Sequence, residues 1–434
     1  MSALDTAVAN ALLSKELLRV IHNATGLTKK MNRQLDAEWN KANWNGFKNG
    51  LTLNFVRPAQ ATVSTGKNIP FNSSTGGWTT GAWVEKTIPV TVSETLDWLR
   101  SDYTFSTLQL QQIVSNMDMR VVKPTFLKMW SEFEKKILSE TFPMTGNSIV
   151  ATGTVGGAGG SLTRADLYKA QAVLTSAGAP TEDRVCYLDS FANAGLSDNN
   201  SVLFNPSSQI SKVYENGEIG TFAGADFGVS ELMGTYDVLP GVTDGVIGAG
   251  TYTDGMTSIN IASGMANGVY KKGTVFTITS AGAVPIKKVN LETKAIQAGQ
   301  PYQFALSEDC TIAGGTGVLK FNVATELYSS TAPGAQWNIE RLPIAGDLVK
   351  LFGSTTLSYR IGCMWHPDAF AATQIPLENI LGLKGSVESA EGFSARVTSG
   401  PWIGTSEEVT RFDVVARGAL IRNQNACRIF TAIY

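Results

Sequence analysis

The sequence predicts an α+β protein assembled from more than one structural unit, and three observations carry that prediction. Residues 106–141 hold an apolar stripe at helical spacing. Residues 51–96 hold two β-branched runs around a polar, Gly-rich loop, and residues 240–335 hold short alternating runs separated by turn residues. A chain of 434 residues is past the size at which one core keeps growing, so about two to three units are expected. Hydrophobic residues make up 43% and charged residues 17%, the latter below the roughly 25% usual for soluble domains, and 43 glycines exceed the ~7% average. That balance points to many strands, tight turns and large contacts with other chains.

Taken in order, residues 2–25 open with Ser2 and Asp5 in a capping-box-like pair and continue with Leu13, Leu17, Val20 and Ala24 on one helical stripe, which Gly26 stops. Leu35, Trp39 and Ala42 repeat the pattern, so the first 50 residues read as a helical arm. "LTLNFVRPAQATV" and "WVEKTIPVTVSETL" flank "STGKNIPFNSSTGGWTTGA" and predict a long hairpin. Such a ribbon is marginal in water by itself and needs a neighbour. Trp78 and Trp83 sit on it, either packing on the ribbon's own stem or anchoring on another chain.

In 106–141, Ser106 and Gln109 form a capping box, and Leu110, Val114, Met117 and Val121 give way after Pro124 to Phe126, Trp130, Phe133 and Ile137. The stripe changes phase there, and the missing N–H of Pro124 favours a kink in a helix of about 54 Å. "TGTVGGAGGS", 152–161, reads as a flexible joint through Gly156, Gly157, Gly159 and Gly160. Thr163 and Asp166 then cap a helix carrying Leu167, Ala170 and Leu174, closed by Gly178 and Pro180, and "RVCYLDS" predicts a buried strand. The alternating runs of 240–335 predict a small closed barrel or sandwich inserted into this α+β unit, which resumes after Trp337. The apolar end "FTAIY" predicts a last strand paired inside a sheet.

Little in the sequence points to catalysis. The formal net charge of −2 gives no basic field for tight nucleic-acid binding, and no stretch approaches the roughly 18 apolar residues of a membrane helix. No basic region precedes the apolar part of the N-terminus, so neither export nor insertion is expected. His22 and His366 lack an i+4 partner; His22 reads as structural or as a helix-face switch, His366 as structural or as an orienting group beside Pro367. Cys186, Cys310, Cys363 and Cys427 show no C-x-x-C and read as buried small residues, which fits a reducing compartment. "ATVSTGKN", 61–68, departs from a P-loop at Ala61 and Asn68, and "GAGTYT" lacks the third glycine of a dinucleotide fingerprint. Glu407 and Glu408 adjoin in a strand-like run, so their side chains diverge. In "ENGEIGTFAGADFGVSEL", Gly217, Gly220, Gly224 and Gly228 lead into no long helix, so they serve backbone geometry and not a phosphate.

"NGEIGTFAGADFGVSELMGTYDVLPG", "CMWHPDAFAATQIPL" and "NGVYKKGTVFTI" carry a resemblance. With the order of parts, they resemble the major capsid (coat) protein of tailed bacteriophages, the Johnson fold. They are most similar to the short-tailed-phage coat proteins that carry an inserted β-barrel. The resemblance implies a helical arm (1–50), an extended hairpin loop (51–100) and a peripheral domain with a spine helix (101–151). An axial domain in two parts (152–239 and 337–388) follows, with the barrel (240–336) between them and closing strands (389–434) after.

It implies a non-enzymatic subunit without cofactor or metal, forming pentamers and hexamers of an icosahedral shell around DNA. Assembly would take place in the host cytoplasm, with a scaffolding protein, a portal and possible decoration proteins as partners and no membrane. Arg57, Lys67, Trp78, Trp83 and Glu85 on the hairpin are the candidate inter-subunit contacts, and Pro124, Gly156, Gly157, Gly159 and Gly160 the candidate hinge. The β content and tryptophans leave a glycan-binding tail or adhesin protein as the alternative, against which the 106–141 strut speaks. An enzyme acting on a phosphorylated substrate through the Gly loops is a third reading.

Overall fold

The structure is a computed structural model of the full chain. It describes residues 14–17, 19–20, 26–33, 52–61, 71–72, 77–78, 83–93, 95–106, 123–155, 158–200, 220–238, 244–331, 336–353, 358–374, 377, 384–390, 393–402 and 407–432. The fold is α+β and rich in strands. It divides into two units, the first from residues 1–53, 89–141 and 370–419 and the second from 54–88, 142–369 and 420–434.

In the first unit, the helix Lys123–Thr141 buries Phe126, Met129, Phe133 and Ile137, a stripe with helical spacing. Pro124 lies in the first turn of that helix, where an intrahelical N–H partner is not needed. The expected kink depends on 107–122, which lie outside the described residues. Ser106, expected to cap a longer helix, ends the strand Trp98–Ser106 instead. That strand pairs along Glu407–Leu420, from Val415 opposite Trp98 to Glu407 opposite Ser106. With Phe393–Trp402, Lys384–Ala390 and Phe370–Gln374 it makes a five-stranded sheet. The helix packs on this sheet edge to face at Phe126 and Phe412, whose rings stand 5.1 Å apart. A Cβ on Gly418 would come within 2.8 Å of the Ile137 carbonyl, so only glycine allows so close an approach. Of the helical arm, residues 14–17 and 19–20 are helical with Leu17 fully buried; the Ser2–Asp5 pair and the 35–42 pattern lie outside the described residues.

The two expected ribbon strands are Thr52–Ala61 and Trp83–Thr91, paired with each other. Ile88, Val90 and Val92 are buried while Thr87, Pro89 and Thr91 are exposed, the alternation of a strand with one covered face. The intervening stretch, expected as loop, includes a short pair, Phe71–Asn72 with Gly77–Trp78.

The second unit is built on a seven-stranded sheet in the order Thr221–Phe222, Ala225–Val229, Arg184–Leu188, Ser358–Trp365, Ala426–Ala432 and Ser148–Val150, with Thr235–Asp237 also pairing Ser358–Trp365. The closing strand Ala426–Ala432 is buried throughout and sits inside the sheet, as its apolar sequence requires. The helix Arg164–Ser176 carries the expected capping box, with Thr163 and Asp166 each satisfying the other's backbone N–H. Its Leu167, Ala170 and Leu174 pack against Cys186, Leu188, Met364, Cys427 and Ile429 of the sheet. A second helix, Ser190–Asn200, was not legible in the sequence pattern.

The Gly-rich stretch expected as a flexible joint is a hairpin: Gly153–Val155 pairs with Ala158–Ser161, Gly159 facing Thr154. Gly159 and Gly160 are strand residues, and Gly156 and Gly157 lie outside the described residues. Composition pointed to a linker because glycine supplies no side chain to mark a strand face, but the backbone groups of this stretch pair as a ribbon.

Thr221–Phe222 and Ala225–Val229 are joined by Ala223 and Gly224, at φ of 49° and 67°. A two-residue loop with both φ positive is a type I′ turn, for which Asn-Gly is the favoured pair. Alanine is strained at the first position, so Ala223→Asn is expected to raise stability by up to about 1 kcal/mol, read as a shift of the urea midpoint. Gly217 lies outside the described residues. Gly228 meets a different need, since a Cβ there would lie 2.4 Å from the Tyr187 ring.

The barrel follows as a six-stranded sheet: Gln303–Ala305, Val275–Thr279, Leu348–Leu351, Gly245–Ile247, Ser258–Ser263 and Gly317–Lys320. The two outer strands meet through a bridge between Leu306 and Phe321 and the bond from Ser307 N–H to the Lys320 carbonyl, 3.0 Å. This contact closes the described strands into a barrel. Ile259, Phe276, Ile278, Phe304, Leu306 and Leu319 fill the interior, all fully buried. The barrel is inserted into a hairpin of the central sheet, because Thr235 pairs with Arg360 and Asp237 with Ser358 on either side of it. It extends beyond the expected boundary at 336, since Leu348–Leu351 is one of its strands.

Candidate functional site

The candidate contacts are distributed along the ribbon. Arg57 is in Thr52–Ala61, Trp83 and Glu85 in Trp83–Thr91, and Trp78 stands opposite Phe71. Their side chains, and Lys67 altogether, lie outside the described residues.

What the structure adds is the ribbon's footing in the second unit. Lys86, next along the strand from Glu85, hydrogen-bonds the Glu326 carboxylate and lies 4.3 Å from the centre of the Tyr328 ring. Tyr328 closes the triangle by donating to Glu326 at 2.5 Å. A strand that pairs with one neighbour is thereby fixed to the barrel by a charge-assisted bond and a cation–π contact. Sequence reasoning missed this group because its two halves are 240 residues apart.

In the first unit, Asp97 is fully buried between the ribbon and the strand Trp98–Ser106. It accepts from Ser93 N–H at 2.7 Å, from Lys136 at 3.0 Å and from Arg417 at 3.2 Å. Glu140 joins the group, accepting from Lys136 at 2.6 Å, Arg417 at 3.0 Å and the Gly418 N–H at 2.8 Å. Two carboxylates and two cations thus tie the C-terminal half of the helix to the long strand Glu407–Leu420. Burial raises the Asp97 pKa, but the Ser93 N–H, Lys136 and Arg417 outweigh it and hold the carboxyl below its ordinary range. For Glu140 burial wins, and its pKa lies above the ordinary value. On the same sheet Asp413, fully buried, accepts from Arg396 at 2.8 Å, Arg411 at 2.6 Å and Trp98 Nε1 at 2.8 Å.

The arm is held by Glu134 on the same helix. Its carboxylate, 2% exposed, accepts the N–H of Gly26 at 3.0 Å and is also bonded by those of Leu27 and Thr28 at the start of the turn Thr28–Lys30. Asn32 then runs beside the strand Phe370–Gln374, donating to the Phe370 carbonyl at 2.9 Å. Burial pushes the Glu134 pKa up to about 6 despite these donors. A raised carboxyl pKa means that the ionised form is a cost in the folded state, present above pH 6 and relieved as pH falls toward the unfolded value. Between pH 7.5 and pH 5 the protein is therefore expected to gain about 1 kcal/mol relative to Glu134→Gln. Urea unfolding of both proteins at the two pH values checks this; equal pH responses contradict it.

His366 accepts the Asp368 N–H on Nδ1 at 3.3 Å in the turn Pro367–Ala369, a structural place. Burial lowers its pKa. All four cysteines are buried and free. Among the described residues no group of three or more His, Cys, Asp or Glu side chains is placed to hold a metal, and no helix is long and apolar enough to cross a membrane.

No protein-family model matches the chain, and no curated protein is detectably similar to it in sequence. Among solved structures it is similar to a protein of Mycobacterium phage Che8, with 11% identity over 93% of this chain and 90% of that chain and a TM-score of 0.45. It is also similar to the capsid of Ralstonia phage GP4, with 6% identity over 89% and 85% of the two chains and a TM-score of 0.46. The capsid of the Cyanophage P-SCSP1u is a third similar structure, with 11% identity over 89% and 85% and a TM-score of 0.41.

Proposed function

We propose that the chain is the major capsid protein of a tailed bacteriophage, of the short-tailed-phage type with an inserted barrel. In this reading its copies close as pentamers and hexamers into an icosahedral shell around the DNA. The observation that supports this reading most is the order of parts on one chain. A paired ribbon, a helix laid on a five-stranded sheet, and a central sheet with a closed barrel set into one of its hairpins follow in the sequence the resemblance implies.

The physical logic is that of a multivalent container. Each contact between copies is individually modest, on the order of 4–8 kcal/mol, and the closed object is stable because every copy makes many of them. The ribbon, with Arg57, Lys67, Trp78, Trp83 and Glu85, lies over a neighbouring copy in this reading, and the Lys86–Glu326–Tyr328 triangle fixes its foot so that the tip meets its target in one orientation. Bending at Pro124 absorbs the change of shape that accompanies shell expansion in this reading. A net charge of −2 suits a wall that encloses DNA without gripping particular bases. A scaffolding protein and a portal are the partners in this reading, and assembly takes place in the host cytoplasm.

Negative-stain microscopy of the protein expressed alone and together with a candidate scaffold tests the reading. Uniform round shells in either preparation are expected. Single subunits in both overturn it.

A further inference from the structure

We propose that the cleft bounded by Lys86, Lys288 and Arg422 in the second unit binds a compact oxoanion, a phosphate group or a carboxylate. This holds whether or not the chain builds shells, so it goes beyond the proposed function.

The cleft encloses about 70 Å³. A single water occupies about 10–15 Å³ on that measure, so the space fits a group of a few heavy atoms. Three cations line it against one carboxylate, Glu326, which already pairs with Lys86 and Tyr328. Among the described residues Lys288 makes no ion pair, and Arg422 has the Asp368 carboxylate acting on it without a salt bridge. Lys288 is 7% exposed, and its ammonium donates to the neutral Asn147 amide at 2.8 Å. Asn423 on the cleft wall uses its Oδ1 to accept the Gly146 N–H at 2.7 Å, so what its amide has left to offer is a donor.

Elsewhere in this unit, Arg428 is fully buried, with Nη1 donating to the Gly273 carbonyl at 3.0 Å and no hydrogen-bond partner at Nε or Nη2. Lys288 is buried with no carboxylate partner among the described residues and Arg422 has only Asp368 acting on it, and an oxoanion in the cleft offsets the cost of leaving the two cations so. Consistent with the shortage of negative charge, burial pushes the Lys288 pKa down to about 8 and that of Arg428 down to about 10.

Thermal unfolding of the full chain, titrated with sodium phosphate and separately with sodium acetate against sodium chloride at matched ionic strength, tests the site. A saturable rise of roughly 2–4 °C, complete by about 10 mM, is expected. General exclusion of phosphate from protein surfaces does not saturate in this way. A response to phosphate alone identifies a free phosphate as the ligand; a response to acetate as well identifies a carboxylate, such as an acidic side chain of another copy. Arg422→Gln, at the half-buried rim, should lose most of the rise. Lys288→Met, which keeps the buried stem and removes the charge, should lose all of it, and if that variant does not fold Arg422→Gln decides. No saturable rise with either anion, or an unchanged rise in Arg422→Gln, overturns the proposal.

Discussion

Asp97→Ala is expected to cost about 3–5 kcal/mol of stability, the largest effect of any single polar substitution in the first unit. The reason is what the change leaves behind. Lys136 and Arg417 keep their charges in a part-buried site, the Ser93 N–H loses its acceptor, and Glu140 alone faces both cations. Asp97→Asn should cost less, because the amide oxygen still accepts from Ser93.

The same group sets an acid limit. A carboxyl held below its ordinary pKa contributes stability that is fully present above the unfolded value and is lost as pH falls through the folded one. Asp97 therefore favours unfolding only in strong acid, the opposite direction to Glu134, whose cost is relieved as the pH drops from neutrality. Chemical unfolding midpoints measured from pH 7 downward separate the two.

Phe304→Ala is expected to cost about 3–5 kcal/mol and to act on the second unit. Phe304 is fully buried in the barrel and faces Phe276 and Phe321 at ring separations of 5.8 and 5.0 Å. It also lies two residues from Leu306, whose bridge to Phe321 closes the sheet. Truncation removes the ring on which both sides of that seam pack, and a closed barrel has little room to collapse onto the cavity. Hydrogen exchange resolved by segment is the informative measurement: protection should fall across 245–351 and stay unchanged in 370–419. A uniform loss across both units would contradict this assignment.

What could be read from the sequence follows the range of the interactions involved. The Thr163–Asp166 capping box and the turn at Gly178 were legible because donor, acceptor and stop signal are a few residues apart. The ribbon strands and the buried closing strand were legible from alternation and apolar runs. Trp98–Ser106 was not, since Arg100 and Asp102 give it a polar face and its partner strand is some 300 residues on. Ser106 and Gln109 match a capping box, yet the pairing of Ser106 with Glu407 places it at a strand end. The last barrel strand, Leu348–Leu351, is four residues long and flanked by glycines, so only its two pairing partners reveal its place.

The candidate site divides in the same way. The ribbon's two strands were legible, but their footing on Glu326 and Tyr328 and the anchoring of the arm by Glu134 join segments far apart in sequence, where periodicity carries no signal.

Replacing residues 62–82 by a short turn, then comparing sedimentation with the parent chain under conditions where the parent forms shells, shows whether the ribbon completes itself on a neighbouring copy. The shortened protein is predicted to keep the parent's circular dichroism and unfolding midpoint but to sediment as single subunits or small rings. Shells of normal size and stability from the shortened protein would contradict the claim that the ribbon completes itself on a neighbouring copy.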